Sequence, residues 1–240
     1  MNILIDILNI IGLIDILNII GVISFAAAGA MVAIDKETDI FGVMFLSITT
    51  CFGGGILRDV VIGDGLPRFF TYLWPDVTIC LLTALAVFIA AKVLKEKYVK
   101  NEETVNNVNN VLDAIGLGIF ASGGTEICIS LGISPFPAIV MGMLSAVGGG
   151  MLRDVLLRDI PFILRKRVYA VVALGGSAVY YITSMLLESS QSRKVVATLL
   201  CLGVIFVVRM CATYFKWRLP KAIIFSEIES KSEEKTPITK

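Results

Sequence analysis

The sequence predicts an all-α integral membrane protein with seven transmembrane helices, laid out as an inverted three-plus-three repeat followed by one C-terminal helix. Three observations predict it. First, 56% of the 240 residues are hydrophobic and 17% charged, with a mean hydropathy of +0.85; soluble domains average roughly 45–50% apolar and about 25% charged, and a chain this size has too little interior to hide the excess. Second, seven stretches approach the ~20 apolar residues that a helix needs to cross a bilayer. Third, the sequence matches itself at an offset of 95 residues.

The spans fall at about 13–34, 40–62, 73–92, 111–131, 136–157, 168–187 and 195–215. Their apolar runs are continuous, whereas a membrane β-barrel would alternate. The first is preceded by a tandem nonapeptide: LIDILNIIG at 4–12 is repeated letter for letter at 13–21. It reads as a local duplication that lengthens the first helix or adds an interfacial stretch, and no function is assigned to it. No basic n-region or small-residue cleavage site marks the N-terminus as a removable signal.

The repeat aligns 17–65 with 112–160 without a gap, and 16 of those 49 positions are identical. Gly21/Gly116, Phe25/Phe120, Gly29/Gly124, Phe41/Phe136 and Asp64/Asp159 are among them, as is the whole motif GGGxxRD. Chance likeness between apolar helices would match Leu, Ile and Ala, not this string. Repeat one covers about 13–92, repeat two about 111–187, and the seventh helix about 195–215. Each repeat holds three spans, an odd number, so the second copy enters the membrane in the opposite sense. Such inverted repeats place the transport path at the repeat interface. Residues 1–215 form a single transmembrane domain, and 216–240, rich in Lys, Glu and Ser, form a polar cytoplasmic tail.

Orientation follows from Lys and Arg in the loops. Lys36, Lys92, Lys95, Lys97, Lys100, Arg158, Arg165, Lys166, Arg167, Lys216, Arg218 and Lys221 fall on one side, against Arg68, Arg193 and Lys194 on the other. The crowded side is expected to be cytoplasmic, with the N-terminus outside and the C-terminus inside, in a prokaryotic inner (cell) membrane.

Composition also narrows the chemistry. Histidine is absent, which removes the commonest general base and metal ligand. The cysteines Cys51, Cys80, Cys128, Cys201 and Cys211 are scattered singly and read as small buried hydrophobes. There is no Gly-x-Ser-x-Gly elbow, and Asp59 and Asp154 are expected at opposite faces of the membrane. The chain therefore reads as no enzyme, with no cofactor and no metal beyond permeating ions, and a net charge of +1 gives no field for nucleic acid.

The candidate site is the doubled motif. Gly53, Gly54 and Gly55 lie about two-thirds along the second span, and Gly148, Gly149 and Gly150 hold the same place in the fifth. Interior glycine costs a helix about 1 kcal/mol relative to alanine. Three in a row are expected to kink or break it, freeing carbonyls to face a passing ion; the alternative use is close helix packing. One turn on come Arg58, Asp59, Arg153 and Asp154. Neighbours on a helix do not face one another, so each is expected to find a partner elsewhere. Glu126 is the other intramembrane charge; a Glu126–Arg58 pair is expected, with Arg153 meeting Asp113 or Asp35. These five charges are candidates for the pore wall or for gating. Ser47, Thr49, Thr50, Ser122, Thr125 and Ser145 either bond back to their own helices or line a path.

GGGILRD at 53–59, GGGMLRD at 148–154 and the three-plus-three-plus-one layout resemble the prokaryotic TRIC (trimeric intracellular cation) channels, a family related to bacterial proteins labelled glycine transporters. The resemblance covers about 15–215. It implies a homotrimer in membrane lipid, with a pore inside each protomer lined by the second and fifth spans and kinked at the two glycine triplets. It also implies conduction of monovalent cations, potassium chiefly and sodium as well. The Lys-Glu-Val signature of animal members is not apparent, so their gating is not carried over. The main alternative is a secondary transporter of a small zwitterionic amino acid such as glycine, because broken helices in inverted repeats serve carriers too.

Overall fold

Among the described residues, seven long apolar helices build the computed structural model of the chain. It describes residues 2–71, 74–165, 168–187, 191–215 and 217, so most of the expected tail lies outside the described residues. The long helices are α1 (Asn2–Asp35), α2 (Ile40–Ile62), α3 (Trp74–Val93), α5 (Glu102–Ser130), α6 (Pro135–Leu156), α8 (Val168–Leu186) and α9 (Gln191–Tyr214). Two short helices, α4 (Lys95–Lys100) and α7 (Phe162–Arg165), and a 3-10 turn at Arg68–Phe70 occupy the connections. No strand forms among the described residues.

All seven are long and apolar enough to cross a membrane. Two reach further than expected. α1 runs 34 residues and takes in both nonapeptide copies, so the duplication lengthens the helix. α5 begins nine residues before the apolar stretch, on the polar run from Glu102, where Glu102 and Glu103 in the first turn suit the positive end of the helix dipole. Polar residues continue a helix readily once it leaves lipid; hydropathy alone cannot see that.

Helix ends follow local chemistry. Asp39 caps α2 by accepting from the Gly42 amide at 2.8 Å, and Gly63 closes it with φ of 71°, a left-handed conformation that glycine adopts without strain. Pro135 opens α6 at the first turn, where a missing N–H costs nothing. Tyr98 of α4 donates to Asp35 at the end of α1. Burial first, and then the Asp35 charge, push the Tyr98 phenol well above its ordinary range, so it stays a donor.

α1 packs on α2, α3 and α5; α2 packs on α6; α9 packs on α5 and α8. One core joins Phe25, Cys51, Phe52, Leu117, Tyr180 and Ile205, and a second sits between α1, α2 and α3 at Ala30, Ala33, Val43, Leu46 and Ala84. Ala26, Ala28, Ala30 and Ala33 are all fully buried on α1, where small side chains let backbones approach. Large apolar residues such as Phe41, Trp74, Leu82, Val171 and Val207 point outward, a surface suited to lipid. Four cysteines are buried, Cys211 is half-buried and all five are free thiols.

The repeat counterparts meet each other. Phe25 stacks on Phe120, centroids 5.0 Å apart and planes 4° from parallel. α1 packs on α5 and α2 on α6, so each of these helices faces its own copy. Self-matching contact is the signature of a local two-fold axis.

Candidate functional site

The α2–α6 crossing is built on glycine. A Cβ at Gly54 would collide with the carbonyl oxygen of Ser145, and a Cβ at Gly149 with that of Thr50. The two contacts are equivalent, since Gly149 is the counterpart of Gly54 and Ser145 that of Thr50. Gly53 and Gly148 sit in the same crossing, each beside a Cα of the opposite triplet at 3.3 and 2.9 Å from a Cβ position. Both helices run unbroken through their triplets. The expected break is therefore corrected: the carbonyls stay in the helix ladder, and the glycines remove side chains so that two backbones can touch. The third glycine of each triplet does something else. Gly55 lies under the Arg58 guanidinium and Gly150 under that of Arg153, each 3.7 Å from a Cβ position.

The arginines and aspartates of the motif pair with each other, contrary to expectation. Arg58 Nε and Nη2 both donate to Asp59 Oδ1, at 2.9 and 2.6 Å, and Arg153 repeats the arrangement on Asp154 at 3.0 and 2.8 Å. Near a helix end the long arginine chain can fold back onto its neighbour, a reach that backbone geometry alone does not show. Each pair carries no net charge, which lowers the cost of holding it among apolar helices. Asp59 Oδ2 accepts the Arg68 amide at 2.9 Å, and Arg58 Nη1 donates to Ser145 Oγ at 2.9 Å. The motif thus pins the α2–α3 connection and crosses to the other repeat.

The hydroxyls mostly bond back to their own helices. Ser47, Thr49, Thr50 and Thr125 donate to the carbonyl four residues earlier, and Ser122 to that of Ile119. Ser47, Thr50, Ser122, Thr125 and Ser145 are buried. With their protons committed, the oxygens of these back-bonded groups remain as acceptors.

Neither Glu126 nor Arg153 takes its expected partner. Glu126 accepts Tyr180 at 3.0 Å and pairs with Lys194 at 3.0 Å and Arg193 at 3.5 Å. Asp113 accepts Tyr169 at 3.2 Å and pairs with Arg209 at 3.0 Å, while the Arg209 guanidinium lies 4.4 Å from the Tyr169 ring centre. α5 therefore carries one acid toward each end, held by a tyrosine of α8 and a base of α9. Tyr169, Tyr180, Arg193, Lys194 and Arg209 were not among the expected site residues. Arg209 had a readable signal, being the single charge between 195 and 215; the tyrosines had none.

Two cavities open beside these clusters. One, of about 170 Å³, is lined by Asn109, Asp113, Gly150, Arg153, Asp154 and Tyr169 among others. The second, of about 280 Å³, lies between α1, α5, α8 and α9 and is lined by Asp15, Asn18, Ser122, Glu126, Tyr180 and Lys194 among others. Asp113 and Glu126, on the same helix thirteen residues apart, place the two cavities about 20 Å apart along α5. Among the described residues no cluster of three or more metal-ligating side chains forms.

Comparison with known proteins adds three findings. The sequence profile of the family described as Glycine transporter matches residues 15–92 and 110–185, two blocks whose starts are 95 apart. The chain is 32% identical over 200 residues to the UPF0126 inner membrane protein YadS of Escherichia coli K12, covering 82% of this chain and 89% of that one. It is 34% identical over 201 residues to the UPF0126 membrane protein YvgT of Bacillus subtilis, covering 82% and 90%. Among solved structures, a prokaryotic TRIC channel crystallised in 0.5 M KCl superposes with a TM-score of 0.74 at 29% identity, over 86% of this chain and 98% of that chain. The TRIC trimeric intracellular cation channel orthologue from Rhodobacter sphaeroides gives 0.72 at 30% identity, over 85% and 99%.

Proposed function

Because the chain belongs to the family described as Glycine transporter and is related in sequence and fold to prokaryotic TRIC channels, we propose that it is a channel for monovalent cations, potassium foremost and sodium as well. The fold likeness carries the reading: it spans nearly the whole length of those channels. The protein sits in the membrane, and the loop charges support an extracytoplasmic N-terminus and a cytoplasmic C-terminus in a prokaryotic cell membrane. A homotrimer is part of the proposal, by likeness to the trimeric relative from Rhodobacter sphaeroides.

The geometry suggests how such a protomer would work. The path follows the α2–α6 face, with the smaller cavity, which Val147 and Gly150 of α6 help to line, as its approach from one end. Acceptor oxygens of Ser47, Thr50, Ser122 and Thr125 stand in for hydration water. The glycine crossing fixes the spacing of the walls, and the neutral Arg58–Asp59 and Arg153–Asp154 pairs stiffen its ends. Opening then requires α2 and α6 to shift at their crossing, and a kink at the triplets is the motion that three glycines permit.

Purified protein in planar bilayers under a KCl gradient tests this. Unitary currents reversing near the potassium potential are expected. A second reading, a carrier of a small zwitterion, is favoured by the family's description and by the mixed charges of the larger cavity. No currents, together with saturable glycine uptake into liposomes, would establish the carrier instead.

A further inference from the structure

We propose that the cavity between α1, α5, α8 and α9 binds one monovalent alkali cation, and that the Lys194 ammonium is a tethered competitor for that position. The identity of the ligand rests on the cation-channel reading above; the site itself rests on the following geometry.

Glu126 is held by unequal partners. Tyr180 donates to Oε2, while Lys194 Nζ and Arg193 Nη2 share Oε1. The Arg193 side chain is 13% exposed and its Nη1 also reaches the Ser184 carbonyl. The Lys194 side chain is 38% exposed and Glu126 is its one ion-pair partner among the described residues. An exposed lysine pair contributes little and forms and breaks easily. Lys194 is the cation that can leave.

The charge count says what its leaving creates. With Lys194 seated, Arg193 and Lys194 stand against Glu126 and Asp15, with Asp76 beyond Asn18. With Lys194 swung out to water, acids outnumber the remaining base around a cavity of about 280 Å³, enough for an ion and several waters at roughly 30 Å³ each. Several oxygens then face the space, beside the apolar side chains of Ile14, Leu17 and Ile119. Glu126 and Asp15 offer carboxylates and Ser122 a hydroxyl whose proton is committed to Ile119. Asn18, its Nδ2 donating to Asp76 at 3.1 Å, offers its amide oxygen. Hard oxygen donors suit alkali and alkaline-earth ions, and the cation-channel reading makes the ion an alkali one. An ammonium at 3.0 Å from a carboxylate oxygen already occupies the place that such an ion would take.

The test is thermal unfolding of the purified full-length protein in detergent. KCl replaces N-methyl-D-glucamine chloride at constant ionic strength. Wild type is expected to be stabilised saturably by potassium. Lys194→Gln should lower the half-saturating concentration by roughly twofold to fivefold, the range an exposed ion pair spans, while Lys194→Arg should not. Adding Glu126→Gln to Lys194→Gln should abolish the response. Gly123 lines the cavity and a Cβ there meets nothing within 4 Å, so Gly123→Val should fold, narrow the space and weaken the response several-fold. The same response in all variants, or none in wild type, or stabilisation by glycine instead of potassium, overturns the proposal. A potassium response without unitary currents would instead remove the channel reading and leave this site standing.

Discussion

Phe25 lies face to face with Phe120, its own counterpart 95 positions later, with ring centres 5.0 Å apart. The two planes lie 4° from parallel. The pair joins α1 to α5 as the glycines join α2 to α6. A double-mutant cycle with Phe25→Leu and Phe120→Leu, read by thermal unfolding in detergent, should give a coupling of about 0.5–1.5 kcal/mol. Strict additivity would mean that the stacking carries no energy of its own.

Glycines in this chain divide into two kinds, and alanine separates them. Gly54→Ala and Gly149→Ala each drive a methyl into backbone, which cannot yield as a side chain can; each should cost about 3 kcal/mol or more. Gly175→Ala meets nothing within 4 Å and should be neutral or stabilising by up to about 1 kcal/mol. Comparable melting temperatures for all three would show that the crossing is looser than described.

Asp113 shields a buried cation. Asp113→Asn leaves Arg209, 5% exposed, with a weaker partner in apolar surroundings, and should cost about 3–5 kcal/mol. Asp113→Leu combined with Arg209→Met removes both charges and should recover most of the loss. Folded yield and melting temperature measure both; a double variant worse than the single would exclude charge burial as the cause.

Asp59 holds the backbone of Arg68 as well as its own arginine. Asp59→Asn keeps the shape but weakens both bonds. Limited trypsin digestion should then cut after Arg68 several-fold faster than in wild type, with cleavage elsewhere unchanged. By contrast Lys36→Ala, which breaks a 2.6 Å pair with Asp159 between half-exposed side chains, should change stability by less than about 1 kcal/mol.

Much of this was readable in the sequence. All seven spans and the 95-residue repeat follow from apolar runs and from a string too specific to recur by chance. What misled was the use of the glycines. Weakening a helix and letting another helix close in call for the same residue, and only the position of the Ser145 and Thr50 carbonyls decides between them. The partners of Glu126 were illegible for a related reason. Tyr180 and Arg193 are 54 and 67 residues away, and a tyrosine in an apolar helix looks like any interfacial aromatic. The Arg58–Asp59 pair is illegible in backbone spacing, because the reach of the arginine side chain decides it.

The glycine crossing has a consequence for how the two halves could drift apart. Gly54 and Gly149 are each matched to a backbone carbonyl, and every residue has one, so these two contacts constrain the glycines and say nothing about the side chains of Ser145 and Thr50. The sequence carries the trace. Thr49 and Leu144, Cys51 and Ala146, and Phe52 and Val147 have diverged between copies while both triplets are intact. The acids of α5 went the same way, for Asp113 and Glu126 stand where the first copy has Asn18 and Met31. Where main chain meets main chain, each half is at liberty to change its side chains and place its charges differently, without the fit between them ever being renegotiated.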